Sequence, residues 1–156
     1  MVTSPGGRFH FECLRGQGHA DDLLILVERR AGLAFTSDAV MPRYRMLFSD
    51  GDKVQEDVGL IYDTIEALVR FTEGMKELTV FAAGHDPFRP GRAFLQERAT
   101  ELWDLHAEVH RLHVRGLSDK EIARQLLGED PAISRLTLGD LSRANLVKAL
   151  LAWPRG

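Results

Sequence analysis

The feature that most constrains the fold is a pair of apolar segments joined by a tight turn. Residues 23–40, LLILVERRAGLAFTSDAV, carry two strand-like runs on either side of the tripeptide Arg30-Ala31-Gly32. This pattern predicts a β-hairpin. Its first arm, residues 23–27, is continuously apolar, which predicts burial on both of its faces. A hairpin of this kind belongs in a sheet, so we expect a core that contains β-structure.

The neighbouring segments predict further strands and one helix. RFHFECLRG (8–16) alternates between apolar and polar residues, as a half-buried strand does, and ELTVFAA (77–83) reads as another strand. Between them, EDVGLIYDTIEALVRFT (56–72) has apolar residues at helical spacing. Residues 41–55 are expected to be irregular. We interpret Cys13, in the first of these strands, as a small core residue rather than a nucleophile. The fold class is therefore α/β.

The segment after residue 88 is predicted to be helical. The linker DPFRPGR contains two prolines, which predicts a boundary there. Ser118 followed by Glu121 is a capping box, which begins a helix. The expected helices are 91–115, 118–127 and 140–152, the last capped by Asp140 or Ser142. The chain then divides into residues 1–88, the sheet-containing part, and 89–156, a helical extension.

Charge and cysteine content narrow the classes of partner and location. The 156-residue chain has a net charge of −3 and a pI near 6.1, which gives no reason to expect nucleic acid or an anionic membrane as a partner. A helix-turn-helix interpretation of the last two helices is disfavoured because residues 101–156 hold as many acidic as basic side chains. A single cysteine favours a reducing, cytoplasmic location.

Three residues of the kinds that bind metal ions lie next to predicted strand ends. His19 lies in GQGHAD before a strand, Asp38 follows the strand LAFTS, and His85 follows the strand ending FAAG. Two imidazoles and a carboxylate are ligands that Zn²⁺ accepts. The alternative is that each residue only shapes or caps a turn.

These motifs, in this order, resemble the second half of the metallo-β-lactamase fold. Within this fold, the dipeptide Asp38-Ala39 and the motif GHD around His85 look most like the branch of N-acyl-homoserine-lactonase-type enzymes. The resemblance implies the second half of an αββα sandwich with a C-terminal helical extension. It also implies that His19, Asp38 and His85 are metal ligands of a site that holds one or two zinc ions. In the intact family enzyme such a site hydrolyses lactones or esters.

One motif that the resemblance calls for is missing. Family members carry His-x-His-x-Asp-His in their first half, and the six histidines of this chain do not form that pattern. We therefore expect a catalytically incomplete chain, with partial zinc binding or none and with catalytic residues that are unknown. Such a chain would form a homo-oligomer or bind a partner that supplies the N-terminal half.

Two alternatives remain open at this point. The chain could be a non-catalytic remnant that acts as a dimerisation or partner-binding module, because half of a sandwich leaves an apolar sheet face uncovered. Separately, His106, His110 and His113 lie on one face of a predicted helix. They could bind a metal ion, or they could belong to a helix that packs against the protein.

Overall fold

The computed structural model describes residues 2–3, 7–51 and 53–154 as a mixed α/β structure. The strands are β1 Val2–Thr3, β2 His10–Arg15, β3 Leu24–Glu28, β4 Leu33–Ser37, β5 Leu47–Asp50, β6 Lys53–Val54, β7 Thr79–Ala82 and β8 Leu141–Ser142. The helices are α1 Val58–Phe71, α2 Gly91–Val114, α3 Asp119–Leu127, α4 Ala132–Leu136 and α5 Arg143–Ala152. None of the described helices is long and apolar enough to span a bilayer.

The chain divides into two compact units. The first unit consists of the residues up to Pro42 together with Leu60–Thr100. The second consists of Arg43–Gly59 and the residues from Glu101 onward. The division into residues 1–88 and 89–156 stays a prediction.

The first unit contains a five-stranded sheet in the order β1-β2-β3-β4-β7. The strands β1 to β4 pair antiparallel in sequence order, and the predicted hairpin is confirmed as β3 and β4. The last strand, β7, pairs parallel with β4. Because parallel strands run in the same direction, the residues that follow β4 and β7 leave the sheet at the same edge.

The two faces of this sheet differ in burial. On one face the register aligns Val27, Ala34 and Val80, which are fully buried. The inward residues of α1, Ile61, Ile65 and Leu68, are also fully buried and belong to the same core.

The other face, which we call the aromatic face, carries Phe11, Leu26, Phe35 and Phe81. The rings of Phe11 and Phe35 are 6.1 Å apart, and those of Phe35 and Phe81 stack at 4.8 Å. Phe35 remains 38% exposed, and the other three residues are half-buried. The aromatic face is thus an apolar surface that is partly open to solvent.

Two predictions about burial were wrong. Leu24 is 58% exposed although the run 23–27 was expected to be buried on both sides. Cys13 is exposed and not a core residue. Both side chains point to the aromatic face, as their pairing with Arg15 and Leu26 shows. An apolar run in a strand does not reveal that only one of the two faces is covered.

The second unit contains a three-stranded sheet in the order β6-β5-β8 and the helices α3 to α5. The predicted starts of two helices are confirmed. The capping box of Ser118 and Glu121 begins α3, and Ser142, one of the two predicted caps, is the N-cap of α5. The expectation that residues 41–55 are irregular was wrong, because β5 and β6 lie there. Helix α4 and strand β8 were also missed.

A buried amide fixes the small sheet to α5. The side-chain nitrogen Nδ2 of Asn145 lies 2.8 Å from the carbonyl of Asp140, 3.0 Å from Oγ of Ser49 and 3.2 Å from the carbonyl of Leu47. Asn145 is almost fully buried. Asn145 thus links α5 to β5 and to the carbonyl of Asp140, which also accepts a hydrogen bond from the N–H of Ser49 at 2.6 Å.

Candidate metal centre

His19 lies in the loop between β2 and β3, which is anchored at both ends. The backbone N–H of Gly16 donates to the carbonyl of Leu23 at 2.8 Å and closes the loop. The guanidinium of Arg15 donates to the carbonyl of Asp21 at 3.0 and 3.2 Å. In the middle of the loop, His19 therefore sits on a backbone that is restrained from both sides.

Asp38 follows β4 at a point where the strand is irregular. The pairing with β7 places Phe35 opposite Phe81 and Ser37 opposite Ala82, so Thr36 is an extra residue in β4. A bulge of this kind re-aims the side chains around it. Ser37 also has a φ of +47°, a left-handed conformation that costs a non-glycine residue roughly 1–3 kcal/mol. Local strain of this kind concentrates at functional sites, and here it immediately precedes Asp38.

The structure brings His19 and Asp38 together. Nε2 of His19 lies 3.8 Å from Oδ2 of Asp38, and the two side chains are 33% and 42% exposed. Solvent can therefore reach both groups. A histidine and an aspartate at this separation form an ion pair when the imidazole is protonated, and they offer a nitrogen and an oxygen ligand when it is neutral.

His85 leaves the sheet at the same edge as Asp38. It lies three residues beyond the end of β7, in an exposed turn that its own N–H closes by donating to the carbonyl of Ala82 at 3.3 Å. Across residues 7–51 and 53–154, however, no group of three or more His, Cys, Asp or Glu side chains is arranged to hold a metal ion. The three-residue site remains a prediction, with two of its members in proximity.

The pair fits part of a zinc site and not a whole one. Two donor atoms bound to one tetrahedral zinc ion at about 2.0–2.2 Å lie about 3.3–3.6 Å apart. The measured 3.8 Å between Nε2 of His19 and Oδ2 of Asp38 is only slightly longer. A catalytic zinc ion needs three protein ligands.

The histidines of α2 have a structural role. Nε2 of His106 donates to the carbonyl of Trp153 at 2.9 Å, and Nε2 of His110 donates to the carbonyl of Leu150 at 3.2 Å. A carbonyl only accepts hydrogen bonds, so both Nε2 atoms carry the proton. The imidazoles thus satisfy the unpaired carbonyls at the end of α5. His113 is exposed.

Sequence reasoning missed two residues that shape the loop of His19. Thr64 of α1 forms hydrogen bonds with the backbone of Gln17. Gly16 packs so closely that a Cβ atom there would lie 2.9 Å from Cβ of Ala39. The apolar pattern of residues 56–72 predicts a helix with one buried face. It does not indicate that Thr64 contacts the loop.

Comparison with known proteins supports the fold and leaves the family open. No protein-family model matches the sequence, and no curated protein matches it significantly. Among solved structures, the stereoselective inverting sec-alkylsulfatase Pisa1 from Pseudomonas sp. superposes with a TM-score of 0.65 at 16% identity over 90% of this chain. A double mutant of the sec-alkylsulfatase gives a TM-score of 0.67 at 16% identity over 91%. A beta-lactamase domain protein from Burkholderia ambifaria gives 0.61 at 20% identity over 94%.

These neighbours are members of the metallo-β-lactamase fold. The chain has this fold. Its α/β class is confirmed, and helices follow β7 as the predicted helical extension requires. The chain spans 23% of the length of the alkylsulfatase structures and 43% of the beta-lactamase domain protein. The resemblance to the lactonase-type branch stays a prediction.

Proposed function

We propose that this chain is the C-terminal part of a zinc-dependent hydrolase with the metallo-β-lactamase fold. The observation that carries the proposal is the pair formed by His19 and Asp38, 3.8 Å apart beside the ends of two strands of a sheet with this fold. His85, which follows β7 at the same edge of the sheet, is the proposed third zinc ligand. Zinc bound there would act as a Lewis acid and activate water for hydrolysis.

The ligands beyond His19, Asp38 and His85 are proposed to come from polypeptide outside this sequence. The neighbours that share the fold are more than twice as long as this chain, so the fold is found within larger proteins. Within the proposed enzyme, His19 supplies an imidazole nitrogen and Asp38 a carboxylate oxygen, and the restrained loop and the bulge hold the two side chains. The chain alone is proposed to be catalytically incomplete.

The substrate class that we propose is a lactone or an ester. A hydrolase of this kind would work in the cytoplasm, which a chain with one cysteine suits. An alkylsulfatase is among the structural neighbours, so sulfate esters belong in the same substrate panel.

The aromatic face is the surface where we propose that the N-terminal half docks. Phe35 is 38% exposed and stacks on Phe81. An N-terminal half that packs on this face would bury both rings. A second copy of this chain is the competing occupant. Sedimentation of the chain with and without a separately expressed N-terminal half distinguishes the two.

The test is zinc binding, measured by equilibrium dialysis and mass spectrometry on the full chain. We expect weak binding that is lost in His19→Ala and Asp38→Asn and reduced in His85→Ala. His113→Ala is the matched control, because it removes an exposed imidazole that lies outside the candidate site. Equal zinc binding by all of these variants would contradict the proposed site.

A non-catalytic binding module is the second candidate. It is favoured by the lack, among the described residues, of any three-ligand group, together with the open aromatic face. In that case the chain would dimerise in the presence of a metal chelator, and Phe35→Asp would make it monomeric. Zinc-dependent hydrolysis after addition of an N-terminal half would exclude this candidate.

A further inference from the structure

The hydroxyl of Thr64 connects helix α1 to the loop that carries His19. Its Oγ1 accepts a hydrogen bond from the backbone N–H of Gln17 at 3.0 Å and donates one to the carbonyl of the same residue at 3.1 Å. Thr64 is only 7% exposed. One side chain therefore satisfies both backbone polar groups of a residue two positions before His19.

This use of a helical threonine differs from the usual one. A threonine in a helix commonly donates to the carbonyl four residues earlier. Thr72, the first residue after α1, does so: its Oγ1 donates to the carbonyl of Leu68 at 2.8 Å. Thr64 instead reaches across 47 positions of sequence to the loop. Its hydroxyl therefore acts between two elements, while that of Thr72 acts within one.

Gly16, the residue before Gln17, packs closely against the segment that carries Asp38. A Cβ atom at Gly16 would lie 2.7 Å from Cδ2 of Leu23 and 2.9 Å from Cβ of Ala39, the residue after Asp38. The loop thus lies directly against the segment of Asp38. A shift of the loop at Gln17 would change the distance between Nε2 of His19 and Oδ2 of Asp38.

We infer that Thr64 is a positioning residue, which holds the loop so that His19 faces Asp38. The inference rests on the proposed function, because the pair must bind metal for its geometry to be measured through affinity. The two hydrogen bonds of Thr64 go to the backbone of Gln17, so its proposed effect on the pair is exerted through the loop. Removal of its hydroxyl leaves His19 and Asp38 in the sequence and releases the loop that sets their separation.

The test compares Co²⁺ binding by variants of the full chain near neutral pH. The readout is the paramagnetic broadening of the His19 imidazole resonances in NMR spectra, titrated with Co²⁺ alone. We expect Thr64→Val to weaken Co²⁺ binding about tenfold, a loss of the order found when a supporting hydrogen bond around a metal site is removed. We expect Thr64→Ser, which keeps the hydroxyl, to stay close to the wild-type affinity.

The matched control is Thr72→Val. It removes a buried hydroxyl of the same segment whose hydrogen bond stays within the helix. We expect it to lower stability and leave Co²⁺ affinity unchanged. If Thr64→Val does not fold, Thr64→Ala, which adds no bulk and suits a helix, takes its place.

The outcomes separate this inference from the proposed function. Wild-type protein whose His19 resonances do not respond to Co²⁺ would overturn the proposed function. A response in wild-type protein with the same affinity in Thr64→Val would overturn only the role of Thr64. Equal losses in Thr64→Val and Thr72→Val would also overturn it, because the effect would then follow stability rather than the position of the loop.

Discussion

Gly32→Ala is the substitution for which the structure gives the clearest energetic expectation. Gly32 lies in the turn between β3 and β4 and has a φ of +65°. A Cβ atom there would lie 2.4 Å from the carbonyl oxygen of Glu77. The carbonyl of Gly32 also accepts a hydrogen bond from the N–H of Thr79 at 2.7 Å, where β7 begins. The two backbones are therefore too close for any side chain.

The expected cost has two parts. A left-handed conformation costs a residue with a Cβ about 1–2 kcal/mol. Forcing the backbone of Glu77 away adds about 1–3 kcal/mol, as overpacking does. The restricted unfolded state of alanine offsets about 0.4–1 kcal/mol. We therefore expect Gly32→Ala to lower the free energy of unfolding by about 1–4.5 kcal/mol.

Gly74→Ala is the matched control in the same unit. Gly74 also has a positive φ, +78°, but nothing lies within 4 Å of a Cβ built there. We expect Gly74→Ala to lower the free energy of unfolding by about 1 kcal/mol or less, because only the backbone conformation is unfavourable for alanine there. Urea denaturation followed by circular dichroism measures both values. Equal losses for the two variants would refute the claim that close packing against Glu77 dominates at Gly32.

Three further predictions concern the loop of the candidate site, the last helices and pH. Gly16→Ala should lower the free energy of unfolding, measured by urea denaturation, by about 1–3 kcal/mol because the added methyl group overpacks the loop. It should also weaken Co²⁺ binding in the NMR titration, and unchanged binding would contradict close packing of the loop. His106→Leu should cost about 1–3 kcal/mol in urea denaturation, because it removes the bond from a buried imidazole to the carbonyl of Trp153. The hydrogen bond from the hydroxyl of Ser118, followed by that from its backbone N–H, lowers the pKa of Glu121. A lowered carboxyl pKa stabilises the folded state at neutral pH, and this contribution is lost as the pH falls through the folded value. Glu121→Gln should therefore be less stable than wild type at neutral pH, with a difference that shrinks below about pH 4.5; a difference independent of pH would contradict this.

The elements that sequence predicted well are those whose signals are local. Helix α2 was expected at 91–115 and is Gly91–Val114, and α3 begins at the capping box of Ser118. The hairpin was found because its turn, which ends in Gly32, lies between two apolar runs. In each case the residues that decide the structure lie within a few positions of one another.

The elements that were missed depend on partners far away in the chain. Strand β8 is only Leu141–Ser142, and it exists because Leu47 and Phe48 of β5 pair with it. No pattern of period two can be recognised in two residues. The exposure of Cys13 likewise depends on which face of the sheet is covered, and a single strand does not contain that information.

That His19, Asp38 and His85 bind metal stays a prediction, and sequence predicted the location of these residues beside strands. His19 and Asp38 were expected at strand ends and lie 3.8 Å apart. The bulge at Thr36 and the left-handed Ser37, which lie just before Asp38, have no sequence signal that we could identify. The contact of Thr64 with Gln17 likewise has no sequence signal, because a threonine in an amphipathic helix has many ordinary roles.

The arrangement of strands β2, β3 and β4 has a consequence for the order of folding. These strands are consecutive and pair with their neighbours in sequence, so the ends that must meet are close along the chain and the entropy lost on closing each loop is small. Strand β7 reaches β4 only after α1, and contacts between distant residues form more slowly. We expect His19 and Asp38 to meet early, within the three-stranded meander, and His85 to arrive with the last strand of the sheet.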